Sequence, residues 1–264
     1  MNASRITLFA GHYGSGKTNI ALNYARMLKR AGEKVAIADL DIVNPYFRTK
    51  DSARDLQAEG IDLVVSDFAN SNVDFPAMPK EIYALVAERD RKIVMDIGGD
   101  DRGALALGRY VPDIKAEGDY EMLAVVNAAR PLTRTPQDAV EVLREIEAAC
   151  QLPFTGIVNN TNLGPQTTAE TVLGSQAYAD EVAALMGVPV RFTCATAAIA
   201  EELKGKVENL LSLEIQKLYY QLEKGRRSTG RLGRRRIFRS RNLPGCWRVR
   251  TRGFGARSLP RRGR

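Results

Sequence analysis

Two glycines, Gly11 and Gly16, are separated by His12, Tyr13, Gly14 and Ser15, and Lys17 and Thr18 follow the second. An apolar run, Ile6 to Ala10, leads into the first glycine, and a helix-forming stretch, Asn19 to Leu28, follows Thr18. This is G-x-x-x-x-G-K-[ST] in the strand–loop–helix setting that a phosphate-binding loop requires. Glycine lets the backbone curl so that successive N–H groups point at phosphate oxygens, and the helix N-terminus adds partial positive charge. Lys17 can then reach β- and γ-phosphates, and the Thr18 hydroxyl can ligate Mg²⁺. A glycine-rich turn that matched by chance would have no need of these flanks.

Carboxylates stand where a metal and a water would need them. Asp96 closes the apolar run Lys92 to Met95 and leads into Ile97-Gly98-Gly99, the form of a Walker B aspartate entering a switch loop. Such a carboxylate can hold Mg²⁺ through water, and glycine lets the loop approach a γ-phosphate and move when it leaves. Asp39 and Asp41 stand two residues apart at the end of another apolar run, so in an extended chain they share a side. One could reach the magnesium shell and the other could orient an attacking water; a solvated acidic loop start is the plainer reading. Arg48 could contact phosphate or be an ordinary surface arginine.

The remaining elements must bring these groups together. Strands are expected over 34–39, 62–65, 92–97, 121–127, 154–160 and 188–194, besides the first. Helices are expected over 51–59, 79–88, 136–149 and 207–224, over 104–115 with an interruption at Pro112, and over 168–186 with a break at Gly174. Strands alternating with helices predict an α/β fold, a mainly parallel sheet with helices on both faces. Ligands then sit at the carboxyl ends of the strands, where Gly11, Asp39, Asp96, Asn127 and Asn160 should converge on one rim.

The phosphate loop, Asp39-Leu40-Asp41 and Asp96-Ile97-Gly98-Gly99 together resemble the SIMIBI class of P-loop proteins, and within it the MinD/ParA/CobQ-type ATPases. The resemblance spans about residues 4–224 in element order, although its specific motifs are short. It implies a Walker B strand beside the P-loop strand, Asp41 at the hydrolytic water, Asp96 in the magnesium shell, ATP and Mg²⁺ as cofactors, and in many members a nucleotide-dependent homodimer. This sequence departs from the deviant Walker motif in one place. The lysine that follows the first glycine in MinD and ParA is replaced here by His12, and Tyr13 stands where a glycine would be. His12 could stand in for that lysine or simply shape the loop; the departure puts dimer-activated hydrolysis in question and leaves nucleotide binding untouched.

Related ATPases carry an asparagine at a strand end, where its amide can donate to and accept from the adenine edge. Asn160 fits that position best, with Asn159 the near alternative and an asparagine-rich turn the plain one. A guanine-reading N-K-x-D would end in a carboxylate; here the fourth residue is Asn162, which favours ATP over GTP. A CobQ- or dethiobiotin-synthetase-like ligase would add a carboxylate-substrate pocket beside the γ-phosphate, drawing on Arg130 or Arg102. A nucleotide-gated binding protein with negligible turnover is a third reading, and its protein partner has no signature in the sequence.

Composition divides the chain in two. Residues 225–264 hold 15 Arg and no Lys, Asp or Glu, leaving 24 basic and 31 acidic residues before them, a net −7. The expected organisation is a P-loop domain over 1–224 and a disordered basic tail over 225–264. That tail either makes non-specific contacts to nucleic acid phosphates or, as a shifted reading frame would, plays no part in the domain's design. The three cysteines are far apart and form no C-x-x-C, which argues against a disulfide framework or a zinc site. No run is long enough for a membrane span and no signal-peptide pattern is evident, so the cytosol is the expected compartment. Val207 to Lys224 carries a broad apolar face that suits packing on the parent domain better than lying on a membrane.

Overall fold

A computed structural model describes residues 3–41, 50–65, 80–99 and 107–215. They belong to a compact unit spanning Met1–Lys217. Arg48, Arg102 and the 225–264 tail lie outside the described residues.

Eight strands form one sheet: β1 (Ile6–Ala10), β2 (Val35–Leu40), β3 (Asp62–Val65), β4 (Lys92–Ile97), β5 (Tyr120–Val126), β6 (Gly156–Asn159), β7 (Val190–Thr196) and β8 (Leu210–Leu213). Their order is β3-β2-β4-β1-β5-β6-β7-β8, and every neighbouring pair is parallel. The helices are α1 (Lys17–Arg30), α2 (Lys50–Ala58), α3 (Lys80–Ala87), α4 (Val111–Glu117), α5 (Pro136–Cys150), α6 (Ala169–Gly174), α7 (Gln176–Met186) and α8 (Ala197–Glu202). This is the α/β P-loop NTPase-like fold expected from the alternation of elements, with β4 beside β1.

Burial on both faces explains why the strands read as continuous apolar runs rather than alternating ones. On β1, Ile6, Leu8 and Ala10 enter one core with Met95, Met122 and Val182, while Phe9 enters a second core with Ile20, Tyr24, Val94 and Leu123. On that second face α1 lies against the sheet, and Tyr24 packs edge-on to Phe9 at 5.3 Å and stacks on Phe192 at 6.0 Å between ring centroids. Burying several large side chains of this kind supplies about 2 kcal/mol each toward holding α1 in place.

One expectation is corrected. Residues 210–213 form β8 rather than part of a 207–224 helix; Leu211 and Leu213 point inward with exposed Ser212 between them. The open edge of β7 supplies hydrogen-bond partners that a helix would forgo, and this tertiary pairing overrides the helical spacing of the leucines. Residues 216–224 of that proposed helix lie outside the described residues. The interruption expected within 104–115 is observed: helical residues end at Gly108, a turn follows, and Pro112 occupies the first turn of α4, where its missing N–H has no partner to lose. The break at Gly174 is observed, with α6 ending there and α7 starting at Gln176.

Candidate nucleotide site

The phosphate loop joins β1 to α1 and curls as the glycine spacing requires. Gly16 precedes α1 with φ +94, a left-handed conformation, and a Cβ there would run into the Asn160 amide. Ser15 N donates to the His12 carbonyl at 3.1 Å and Ile20 N to that of Gly16 at 3.1 Å, so the curl passes directly into the helix. Lys17 is buried, and its Nζ donates to the His12 carbonyl at 3.3 Å. A Cβ on Gly99 would lie 2.9 Å from that Nζ and 2.8 Å from Tyr13 N. Only glycine therefore lets the loop after β4 come this close to the lysine.

β4 carries Asp96 in register with Phe9 of β1 and with Asp39 of β2. Thr18 Oγ1 donates to Asp96 Oδ2 at 2.6 Å. Asp96 is only 1% exposed, and its buried Oδ1 has no hydrogen-bond partner among the described residues. Burial lifts this carboxyl to about 6, against the opposing pull of Lys17 and the Thr18 hydrogen bond and with help from nearby Asp41. A hydroxyl and a carboxylate oxygen in contact, the latter with an unused buried lone-pair face, are hard donors that fit Mg²⁺. Among the described residues no group of three His, Cys, Asp or Glu could form a metal cage. Two protein oxygens suit an ion that keeps waters and takes its other ligands from phosphate.

Asp39 is buried, and its Oδ1 accepts from Asp41 N at 2.9 Å. That bond turns the chain at the end of β2, where Asp41 is half-buried. The strand-end residues expected on one rim, Gly11, Asp39, Asp96, Asn127 and Asn160, do lie at the carboxyl ends of β1, β2, β4, β5 and β6.

Asn160 is buried and turned toward the phosphate loop, its Nδ2 donating to the Ser15 carbonyl at 2.7 Å. Asn159 points elsewhere, donating to Ser175 Oγ at 2.9 Å. Asn127 also does more than its position suggested. Its Oδ1 accepts from Ala129 N at 3.0 Å and Asn162 N at 3.4 Å, tying the loops after β5 and β6 together. Its place at the end of an apolar strand was the only signal for it in the sequence. His12 is partly buried, with its Nδ1 lacking a hydrogen-bond partner among the described residues, while Tyr13 is 62% exposed.

No family model matches the chain, and no curated protein matches it. Several solved structures are similar in fold. FtsY from Mycoplasma mycoides is 18% identical, with 72% of this chain and 60% of that one covered and a TM-score of 0.48. The signal recognition particle 54 kDa protein from Aeropyrum pernix K1, in complex with GDP, is 19% identical over 73% of this chain and 41% of that one, with a TM-score of 0.49. FlhF complexed with GTP and Mg²⁺ is 17% identical over 71% and 64%, with a TM-score of 0.45. The chain thus spans less than two thirds of the length of each. Likeness at this level decides neither the nucleotide nor the reaction. Among the described residues no helix is long and apolar enough to cross a membrane.

Proposed function

We propose that this protein is a Mg²⁺-dependent P-loop ATPase that works as a nucleotide-driven conformational or dimerisation switch of the MinD/ParA/CobQ-like kind. The observation that carries this reading is the Thr18–Asp96 contact of 2.6 Å, with Lys17 and Gly99 close beside it. Loop backbone and Lys17 bind the phosphates; Thr18, Asp96 and Asp39 serve the Mg²⁺ shell, Asp39 also fixing the turn that leads to Asp41. When bound, the metal neutralises charge on the β- and γ-phosphates. Asp41 orients the attacking water from the rim. Lys17 leaves the His12 carbonyl to meet phosphate, and Gly99, packed against that lysine and Tyr13, moves with it. This is how a γ-phosphate is converted into loop motion.

ATP is favoured over GTP by the polarity of the base site. With Asn160 Nδ2 committed to Ser15, its Oδ1 remains the acceptor end, which suits the exocyclic amine of adenine. No carboxylate stands at position 162 to meet guanine.

The test is a pair of variants measured for affinity and single turnover. Lys17→Ala is expected to weaken Mg-ATP binding by roughly 100-fold with the melting temperature unchanged. Asp41→Ala should keep ATP affinity within a few-fold and lower turnover by roughly 100-fold, because a water-orienting group acts mainly in the transition state. Unchanged affinity in the first variant would remove the nucleotide assignment, and normal turnover in the second would remove Asp41 from the mechanism.

A further inference from the structure

Resting on the nucleotide reading above, we propose that Arg130 is a second phosphate ligand supplied by the same chain, its guanidinium donating to the β- and γ-phosphates from the solvent side of the phosphate loop. Arg130 stands on the turn after β5, and that turn is firmly held. Its own N donates to the Asn127 carbonyl at 3.1 Å, Thr133 N donates to the Arg130 carbonyl at 3.2 Å, and Thr133 Oγ1 donates to the Asn127 carbonyl at 2.9 Å. Asn127 is fully buried and anchored within its own loop and to the loop after β6. Pro131 follows, and Arg130 has the extended backbone, φ −94 and ψ 138, that a residue before proline prefers. A stiff turn therefore presents a long, flexible side chain.

That side chain lies beside Gly14 of the phosphate loop. A Cβ built on Gly14 would be 3.8 Å from Arg130 Nε and 3.9 Å from Cζ, ordinary contact distance. The guanidinium thus rests over the loop segment whose backbone cradles phosphates, while Lys17 reaches the same loop from the buried side at the His12 carbonyl. Arg130 is exposed and makes no ion pair with a carboxylate among the described residues. The body of the chain before residue 225 carries a net −7, so carboxylates are plentiful. An arginine kept away from them and laid on an anion-binding loop has its planar fork of donors free for a phosphate. The two cations bracket the bound phosphate chain, one buried and one at the mouth.

The experiment is calorimetric titration of the full chain and its variants with Mg-ATP and, separately, with inorganic tripolyphosphate and Mg²⁺. Arg130→Ala is expected to lose about tenfold or more in affinity for both ligands, by the same factor, since the contact is to phosphate alone. Arg130→Lys should fall between, keeping the charge and losing the fork. Melting without ligand should not change, because the side chain is exposed. If wild type binds both ligands and Lys17→Ala loses them while Arg130→Ala matches wild type, the inference about Arg130 is overturned and the nucleotide reading stands. A loss confined to ATP would place the contact on base or ribose and also overturn it. If wild type binds neither ligand, the nucleotide reading itself fails and this inference falls with it.

Discussion

Two buried carboxylates, Asp96 on β4 and Glu121 on β5, flank the same strand and meet the same helix, yet their surroundings are opposite in kind. Asp96 pairs in register with Phe9 and accepts from Thr18 in the first turn of α1; Glu121 pairs with Thr7 and accepts from Tyr24 further along α1. Glu121 is fully engaged. Its Oε1 accepts from Thr7 Oγ1 and from the Tyr24 hydroxyl, both at 3.2 Å, and its Oε2 from Arg191 Nη2 at 2.9 Å. Burial and the neighbouring Glu121 charge push the Tyr24 phenol well above its ordinary range, so Tyr24 remains a donor. Asp96, by contrast, keeps one oxygen buried without a hydrogen-bond partner among the described residues. The needs of Glu121 are met within the fold, whereas the fold bears the cost of a buried Asp96 oxygen left short of a partner among the described residues.

Substitution at each carboxylate should separate the two roles by sign. Glu121→Ala leaves Thr7 and Tyr24 without their buried acceptor and Arg191 without its partner. Arg191 is 40% exposed in its side chain and recovers part of the loss in water, so the expected destabilisation is about 2 kcal/mol. Thermal melting should show a fall of about 5 °C, and Mg-ATP affinity measured on the remaining folded protein should match wild type. A variant that melts normally would mean that Glu121 is not holding α1.

Asp96→Asn should do the reverse in ligand-free protein. Removing a buried charge is expected to add on the order of 1 kcal/mol, while Mg²⁺-dependent ATP affinity falls tenfold or more. The sign follows from the raised carboxyl. Its folded value of about 6 lies above the ordinary aspartate value, so the folded state holds the proton more tightly. The associated stability is complete below the ordinary value and is lost as pH rises through about 6. The stability gained by Asp96→Asn should therefore be largest near pH 7 and shrink toward pH 4, and a gap independent of pH would break the comparison. Mg-ATP binding by wild type should weaken below about pH 6, where the proton competes with the metal.

The smallest effect is expected from ending the chain at Lys224. Both carboxylates and every proposed phosphate ligand precede that point, so melting and ATP affinity should stay within error. Attraction to DNA or RNA, tested at two salt concentrations, should disappear with the 15 arginines removed. Salt-resistant nucleic-acid binding by the shortened chain would place a partner surface on the body.

Local signals explain what was legible beforehand. The glycine–lysine–threonine spacing and the runs ending at Asp39, Asp96 and Asn160 are short-range patterns, and the sheet order places them on one rim as the alternation of elements required. β8 was not legible, because Leu210, Leu211 and Leu213 fit a helical stripe as well as a strand, and the free edge of β7 decided between them. The break at Pro112 was legible, because proline lacks the N–H that a helix interior needs and is tolerated in a first turn. The hold of Asn160 on Ser15 spans 145 residues and had no local signature. Glu121 did leave a trace, as an acid at the start of the apolar run to Val126, but nothing nearby in the sequence named Arg191 as its partner.

One contact on α1 constrains the last strand of the sheet. Asn23 acts as a two-pronged clasp, its Nδ2 donating to the Glu214 carbonyl at 3.1 Å and its Oδ1 accepting from Glu214 N at 2.8 Å, with Arg30 pairing to the Glu214 carboxylate at 2.8 Å. The end of β8 is thereby fastened to the helix that begins at Lys17, about 9 Å along its axis from the lysine. Through this clasp a tilt of α1 would carry the last strand of the sheet with it.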